Sequence, residues 1–215
     1  MMKKKIGISL RIVDAQNYDE KRDALSHDWP KFFENLDLIP IFIPNILESP
    51  KNFLDEFSLD GIILSGGDNI GDNIERDKTE NFLLNYVIEK NIPTIGICRG
   101  MQLINNFFGG KFVIDSENQH ISKDHKIQII DTKFSSLFDS TKIIVNSFHK
   151  NMIYKEYLGK NLKPFAIDND DNSIEGFCHT SLPIVGVMWH PERNQNKNNK
   201  TIISTIFKDK NFWMD

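Results

Sequence analysis

Pro93-Thr94-Ile95-Gly96-Ile97-Cys98-Arg99-Gly100-Met101-Gln102 is the stretch on which the fold turns. Thr94 to Ile97 reads as apolar on both faces, as a central parallel strand between two layers of helix should be. Met101 to Phe108 carries a helical pattern and stops at Gly109-Gly110, a pair suited to a helix C-terminus. Between the two lies Gly96-Ile97-Cys98-Arg99-Gly100, the form G-x-nucleophile-x-G at a strand-to-helix junction. A nucleophile there sits on a sharp, strained turn that bulky neighbours would obstruct, so glycines flank it. The Cys98 thiol then projects from the carboxyl end of the sheet. The helix N-terminus behind it favours thiolate, and the Arg99 amide is placed to donate to an oxyanion.

Working outward, the upstream sequence alternates strand and helix. Lys5 to Ile12 reads as a first strand. Asp28 to Leu36 reads as a helix, with Trp29, Phe32, Phe33 and Leu36 at i, i+3, i+4 and i+7. Ile39 to Ile43, Asn52 to Phe57 and Gly61 to Leu64 read as strand, helix and strand. Asp77 to Lys90 reads as a helix capped by Asp77 with Glu80, burying Leu83, Leu84, Val87 and Ile88. Such alternation predicts a parallel sheet covered on both faces. Downstream, strands are expected at Ile127–Ile130, Lys142–Val145, Lys163–Asp168, Ser173–His179 and Pro183–Met188. Their short connections suit an antiparallel meander, and a helix at Thr201–Phe207 closes the chain. The expected architecture is an α/β, flavodoxin-like fold: a mostly parallel sheet, flanking helices and a small antiparallel extension, in one domain over residues 1–215.

Composition narrows the function. The 215 residues carry net charge −4, with 40% apolar and 26% charged residues. This is the balance of a globular chain rather than a disordered one. A basic stripe for nucleic acid is missing. The apolar run after Lys3-Lys4-Lys5 ends at Arg11, too short for a signal peptide, and no run approaches the ~20 residues of a membrane helix. Two cysteines make no disulfide framework. The expectation is a soluble cytoplasmic protein in a reducing compartment, with Cys178 a core residue.

A thiol nucleophile needs a base, and the base an orienting acceptor. His190 lies in Trp189-His190-Pro191-Glu192. In extended chain, residues two apart share a side, so Glu192 can reach Nδ1 of His190 and leave Nε2 for the thiol. The residues two positions after His27, His120, His149 and His179 are Trp29, Ser122, Asn151 and Ser181, none of them acidic. His120 and His125 lack the spacing of a metal pair and read as loop or surface histidines. No metal or cofactor is expected. His149, in Asn146-Ser147-Phe148-His149, reads as a pocket residue. Ser65-Gly66-Gly67-Asp68 follows a strand that should neighbour the Cys98 strand, and its Gly67 amide could complete an oxyanion hole with Arg99.

Four segments in order carry a resemblance. They are Leu64-Ser65-Gly66-Gly67-Asp68, Gly96-Ile97-Cys98-Arg99-Gly100-Met101-Gln102, Val145-Asn146-Ser147-Phe148-His149 and Gly186-Val187-Met188-Trp189-His190-Pro191-Glu192. Together they resemble the class I glutamine amidotransferase superfamily, and within it the γ-glutamyl hydrolase (peptidase C26-like) branch. Met188 departs from the Gln that many relatives carry. The resemblance implies a Cys98–His190–Glu192 triad and an oxyanion hole of the Gly67 and Arg99 amides. It implies substrate binding by Gln102, Asn146, Ser147, Phe148 and His149, with the glutamyl α-groups held by Gln102 and the Ser147–Phe148 backbone. It also implies hydrolysis of a γ-glutamyl amide without a cofactor, a small-molecule substrate, and a partner synthase allowed for but not required. Arg22-Asp23-Ala24-Leu25-Ser26-His27-Asp28-Trp29 narrows the likeness to hydrolases whose leaving group is a cytidine diphosphate amidate of capsular phosphoramidate synthesis. Arg11, Lys150 and Arg193 are then candidates to meet the diphosphate. The rivals are a glutaminase subunit that hands ammonia to a synthase, a generic γ-glutamyl-amine hydrolase, and a non-catalytic flavodoxin-like binding module. A complete triad argues against the last.

Overall fold

The computed structural model describes residues 3–115 and 121–214, apart from the side chain of Ile121. The first half of the chain runs β1 (Lys4–Ser9), β2 (Arg11–Asp14), β3 (Lys21–Ala24), α1 (Asp28–Asn35), β4 (Leu38–Ile43), α2 (Pro50–Phe57), β5 (Gly61–Leu64), α3 (Ile74–Lys90), β6 (Thr94–Ile97) and α4 (Arg99–Phe107). The second half runs β7 (Val113–Ile114), β8 (Ile121–Ile129), α5 (Thr132–Ser135), β9 (Lys142–Phe148), β10 (Asn151–Met152), β11 (Leu162–Asp168), β12 (Ile174–His179), β13 (Ile184–Val187) and α6 (Lys197–Lys208). A nine-stranded sheet has the order β4-β1-β5-β6-β13-β12-β11-β8-β9. Its first five strands are parallel, and from β13 onward every pairing is antiparallel.

Burial explains this arrangement. Every residue of β5, β6 and β13 is buried, as strands covered on both faces must be. One apolar cluster packs α1 and α6 against the sheet through Trp29, Phe32, Phe33, Ile202, Ile203 and Ile206. The other packs α3 and α4 through Leu83, Leu84, Val87, Met101, Leu103 and Ile104. Pro40, which cannot donate to a ladder, is accommodated because β4 is the sheet edge. Among the described residues, no helix is long and apolar enough to cross a membrane.

Three sequence expectations need correction. The first strand does not run on to Ile12. It ends at Ser9, and Arg11–Asp14 pairs with Lys21–Ala24 as a separate hairpin that the sequence reading missed. Asn45 ties this hairpin down through its contacts with Leu10 and Asp23. The third helix starts at Ile74, one turn before Asp77. Asp77 and Glu80 are therefore not a cap, and both turn inward to arginines. The strand expected at Ile127–Ile130 begins at Ile121, and the one expected at Lys142–Val145 extends to Phe148.

The carboxyl ends of β1, β5, β6 and β13 lie side by side and lead into Arg11, Ser65-Gly66-Gly67, Cys98 and His190. Ligands bind at this edge of open α/β sheets. The turn at Cys98 is possible because the chain packs so closely. A Cβ on Gly96 would lie 2.5 Å from the Gly100 carbonyl carbon, and one on Gly100 would lie 2.2 Å from Leu64 O. Gly100→Ala is therefore expected to destabilise the protein despite alanine's better helix propensity, by about 1–3 kcal/mol. Urea unfolding checks it, and an unchanged midpoint would refute the close-packing account.

Candidate active site

Cys98 has φ 49° and ψ −101°, a backbone rarely adopted by residues other than glycine. It is fixed on both sides: its amide donates to Val187 O at 2.8 Å, and its carbonyl accepts from the Gln102 amide at 3.1 Å. The side chain is only 7% exposed. His190 and Glu192 are both 3% exposed, and Nδ1 of His190 lies 2.7 Å from Oε1 of Glu192. This contact arises in a different way from the extended chain expected. Arg193 N donates to His190 O at 3.3 Å, closing a turn with Pro191 at its second position, where proline's fixed φ is favoured.

Burial alone would lower the His190 pKa. Hydrogen bonds to Cys98 and Glu192, together with their negative charge, outweigh it and raise the value to about 9. Asn146 holds the backbone of the same residue. Its Oδ1 accepts from His190 N at 2.8 Å, and its Nδ2 donates to His190 O at 2.9 Å. Both ends of this amide thus bond the His190 backbone. Phe148 packs edge-on to the His190 ring with centroids 5.9 Å apart. A Cβ on Gly66 would lie 2.6 Å from Cε1 of His190, so the absence of a side chain there leaves room for the imidazole.

Gln102 is 3% exposed. Its Oε1 accepts from Asn151 at 2.9 Å, and its Nε2 lies 3.7 Å from the Met188 sulfur. The departure at Met188 therefore touches a candidate substrate residue. Ser147 is fully buried on β9. His149 is buried, with Nδ1 3.1 Å from Asn151 O and Nε2 3.4 Å from Glu175. His125 is no surface residue: Nδ1 lies 2.6 Å from Asp168 and Nε2 3.4 Å from Glu175. Glu175 is buried, which alone would raise its pKa. The two histidines overcome this and hold it at about 2. The sequence reading missed this cluster, and its one signal was a carboxylate inside the apolar strand Ile174–His179. His120 lies outside the described residues. Among the described residues, no three His, Cys, Asp or Glu side chains are grouped to hold a metal ion.

A cleft opens over His190 and Glu192, walled by Gly66 and Gly67 on one side and Ala24, Leu25, Ser26 and Trp29 on another. Arg11 and Arg193 reach its rim. The Arg193 guanidinium lies 4.3 Å above the Phe148 ring, and Arg11 pairs with Asp68 at 2.8 Å. Lys150 is exposed and is not part of this wall. A larger cavity, about 400 Å³, lies elsewhere, at the opposite edge of the sheet, beside Cys178, His179 and Pro183. Cys178 is half-buried there rather than in the core, and burial raises its thiol pKa.

The chain belongs to the Peptidase C26 family, whose model matches residues 5–192. It is 36% identical over 213 residues to the gamma-glutamyl-CDP-amidate hydrolase of Campylobacter jejuni, an alignment covering 94% of this chain and 96% of that one. It is 33% identical over 166 residues to one of the subunits of the glutamine-hydrolyzing GMP synthase of Pyrococcus abyssi, covering 77% and 82%. The fold is shared with the glutaminase domain of Trypanosoma brucei CTPS, solved with bound acivicin. The TM-score is 0.73 at 14% identity, over 96% of this chain and 94% of that domain.

Two outcomes are expected. Iodoacetamide should alkylate Cys98 before the more accessible Cys178, because the raised pKa of His190 offers the former a cationic partner and burial keeps the latter protonated. Peptide mapping after partial labelling checks this, and Cys178 reacting first would refute it. His190 also makes stability depend on pH. Its folded pKa lies above the unfolded value, so its contribution is full below about pH 6.5 and is lost as pH rises through about 9. The stability difference between wild type and His190→Asn, measured by urea unfolding, should shrink across that window. A difference independent of pH would contradict the assignment.

Proposed function

We propose that this protein hydrolyses a γ-glutamyl amide bond through a thioester on Cys98. The observation that carries the reading is a buried imidazole bonded through Nδ1 to Glu192, its pKa raised to about 9 by Cys98 and Glu192 against the lowering effect of burial. The Cys98 sulfur attacks the γ-carbonyl carbon. The Gly67 and Arg99 amides receive the oxyanion, a donor of this kind contributing about 2.7–4 kcal/mol. His190 gives its proton to the leaving nitrogen as the C–N bond breaks. It then takes a proton from water as that water attacks the thioester, and glutamate departs. Glu192 keeps the ring oriented throughout. Gln102, with the Ser147–Phe148 backbone, holds the glutamyl α-amino and α-carboxylate groups.

The leaving group in this reading is a cytidine diphosphate amidate. The substrate is γ-glutamyl-CDP-amidate and the product is the cytidine diphosphoramidate used in capsular polysaccharide synthesis. The similarity over nearly the full length of both chains to the Campylobacter hydrolase supports it. So does the position of Arg11 and Arg193 at the cleft rim, since a diphosphate approaching a chain of net charge −4 needs local cations. A second reading, a glutaminase subunit delivering ammonia to a partner synthase, draws support from the likeness to part of a GMP synthase. Turnover of free glutamine against γ-glutamyl-CDP-amidate separates the two.

Cys98→Ala should lose turnover by orders of magnitude and His190→Asn by a comparable factor, with Glu192→Gln milder, because members of such a unit act together. Arg11→Ala and Arg193→Ala should lower kcat/KM on γ-glutamyl-CDP-amidate by roughly tenfold, most strongly at low salt. Neither should affect a neutral γ-glutamyl amide. Steady-state kinetics on both substrates checks this. Equal turnover of the two, untouched by either arginine variant, would leave a generic γ-glutamyl hydrolase.

A further inference from the structure

Arg76 is fully buried on α3, beneath the Ser65-Gly66-Gly67 turn. Its guanidinium serves three consecutive carbonyls. Nη2 donates to Ser65 O at 2.8 Å and to Gly66 O at 3.0 Å, and Nη1 donates to Gly67 O at 3.1 Å. Nη2 also reaches Ser65 Oγ at 3.1 Å, and Nη1 reaches Asp68 Oδ2 at 3.2 Å. Nε donates to Glu80 Oε1 at 3.1 Å. Glu80 is itself fixed by the Ser9 hydroxyl at 2.6 Å and by Arg99.

The consequence follows from the planarity of the peptide. In a trans peptide the C=O of one residue and the N–H of the next lie in one plane and point in opposite directions. Gly66 O and Gly67 N–H belong to the same unit. A guanidinium that draws Gly66 O downward therefore turns Gly67 N–H upward, to the side where Gly66 and Gly67 wall the cleft. Gly67 has φ +91°, so nothing in its own conformational preference would hold that orientation. Lysine could not take over the task. Its single ammonium has three donors and no planar fork, too few for three carbonyls and two carboxylates.

We infer that Arg76 is a positioning residue for the oxyanion hole, holding the Gly67 amide toward the reacting carbonyl by drawing down the three carbonyls around it. The inference rests on the acyl-transfer reading above. Its test uses two reactions of the same thiol. Hydrolysis of γ-glutamyl-p-nitroanilide passes through a tetrahedral oxyanion. Alkylation by iodoacetamide displaces iodide directly and forms none.

Arg76→Lys should lower kcat on the anilide by about a hundredfold, the scale of a misplaced or missing donor. KM and the rate of Cys98 alkylation should stay within about twofold of wild type. An unchanged kcat, or alkylation that falls in step with kcat, would overturn the inference. If Arg76→Lys shows no cooperative thermal transition, Asp68→Asn decides. It removes one carboxylate from Nη1 at a partly exposed position and should lower kcat several-fold with alkylation unchanged. Wild-type kcat in that variant would overturn the inference equally. A wild-type protein that turns over no γ-glutamyl amide would instead remove the acyl-transfer reading, and this inference with it.

Discussion

The backbone of Cys98, at φ 49° and ψ −101°, is the constraint that the rest of the molecule is arranged to satisfy. Such a conformation costs on the order of 1–3 kcal/mol and persists only where its surroundings over-determine it. Here the Val187 carbonyl on one neighbouring strand holds the Cys98 amide, and the first turn of α4 takes its carbonyl. On the other side, the close approach of Gly100 to Leu64 O lets α4 start directly against β5. The strand order β5-β6-β13 thus brings together the elbow, the glycine turn and the histidine loop. A parallel sheet does this without special loops, because the carboxyl ends of its strands share one edge.

Beneath that edge lies a second constraint, electrostatic in kind. Glu80 and Arg76 are fully buried and Arg99 nearly so, and Glu80 bonds both arginines while Asp77 bonds Arg99. Burial pulls the Arg76 pKa down, with Glu80 and Asp68 opposing it. Buried pairs of this sort add little net stability, because desolvation offsets most of the attraction. What they supply is geometry. One carboxylate links the arginine under the glycine turn to the arginine that follows Cys98. The two amides proposed to receive the oxyanion are therefore referenced to a single buried group.

The parts of this arrangement legible in the sequence were those with local signatures. Trp29, Phe32, Phe33 and Leu36 mark α1 by spacing alone, and all four are buried. The turn at Cys98 is written in one short run, and the His190–Glu192 contact in another around Pro191. What stayed hidden was set by distant partners. Asp77 and Glu80 look like a helix cap because the pattern of a capping box is local, whereas their actual partners are arginines on the same helix and on α4. The break after Ser9 has no composition signal. At that point Asn45 bonds Leu10 O and the Asp23 carboxylate, partners distant in sequence. His125 reads as a surface residue until β11 and β12 bring Asp168 and Glu175 against it.

The two histidine–carboxylate systems of this edge also explain why only one suits the base of the proposed reaction. His149 has Nδ1 against a backbone carbonyl and Nε2 toward Glu175, a carboxylate held at about 2 by two histidines. Both ring nitrogens face structural partners. His190 has a carboxylate on Nδ1 alone, supplied by a tight turn that cannot reach around to Nε2. In the proposed reaction that asymmetry leaves Nε2 for the thiol, and Asn146 holds the His190 backbone at both its N–H and its carbonyl. A carboxylate two residues away thus engages one ring nitrogen, whereas carboxylates gathered from across the sheet bracket the His125 ring on both.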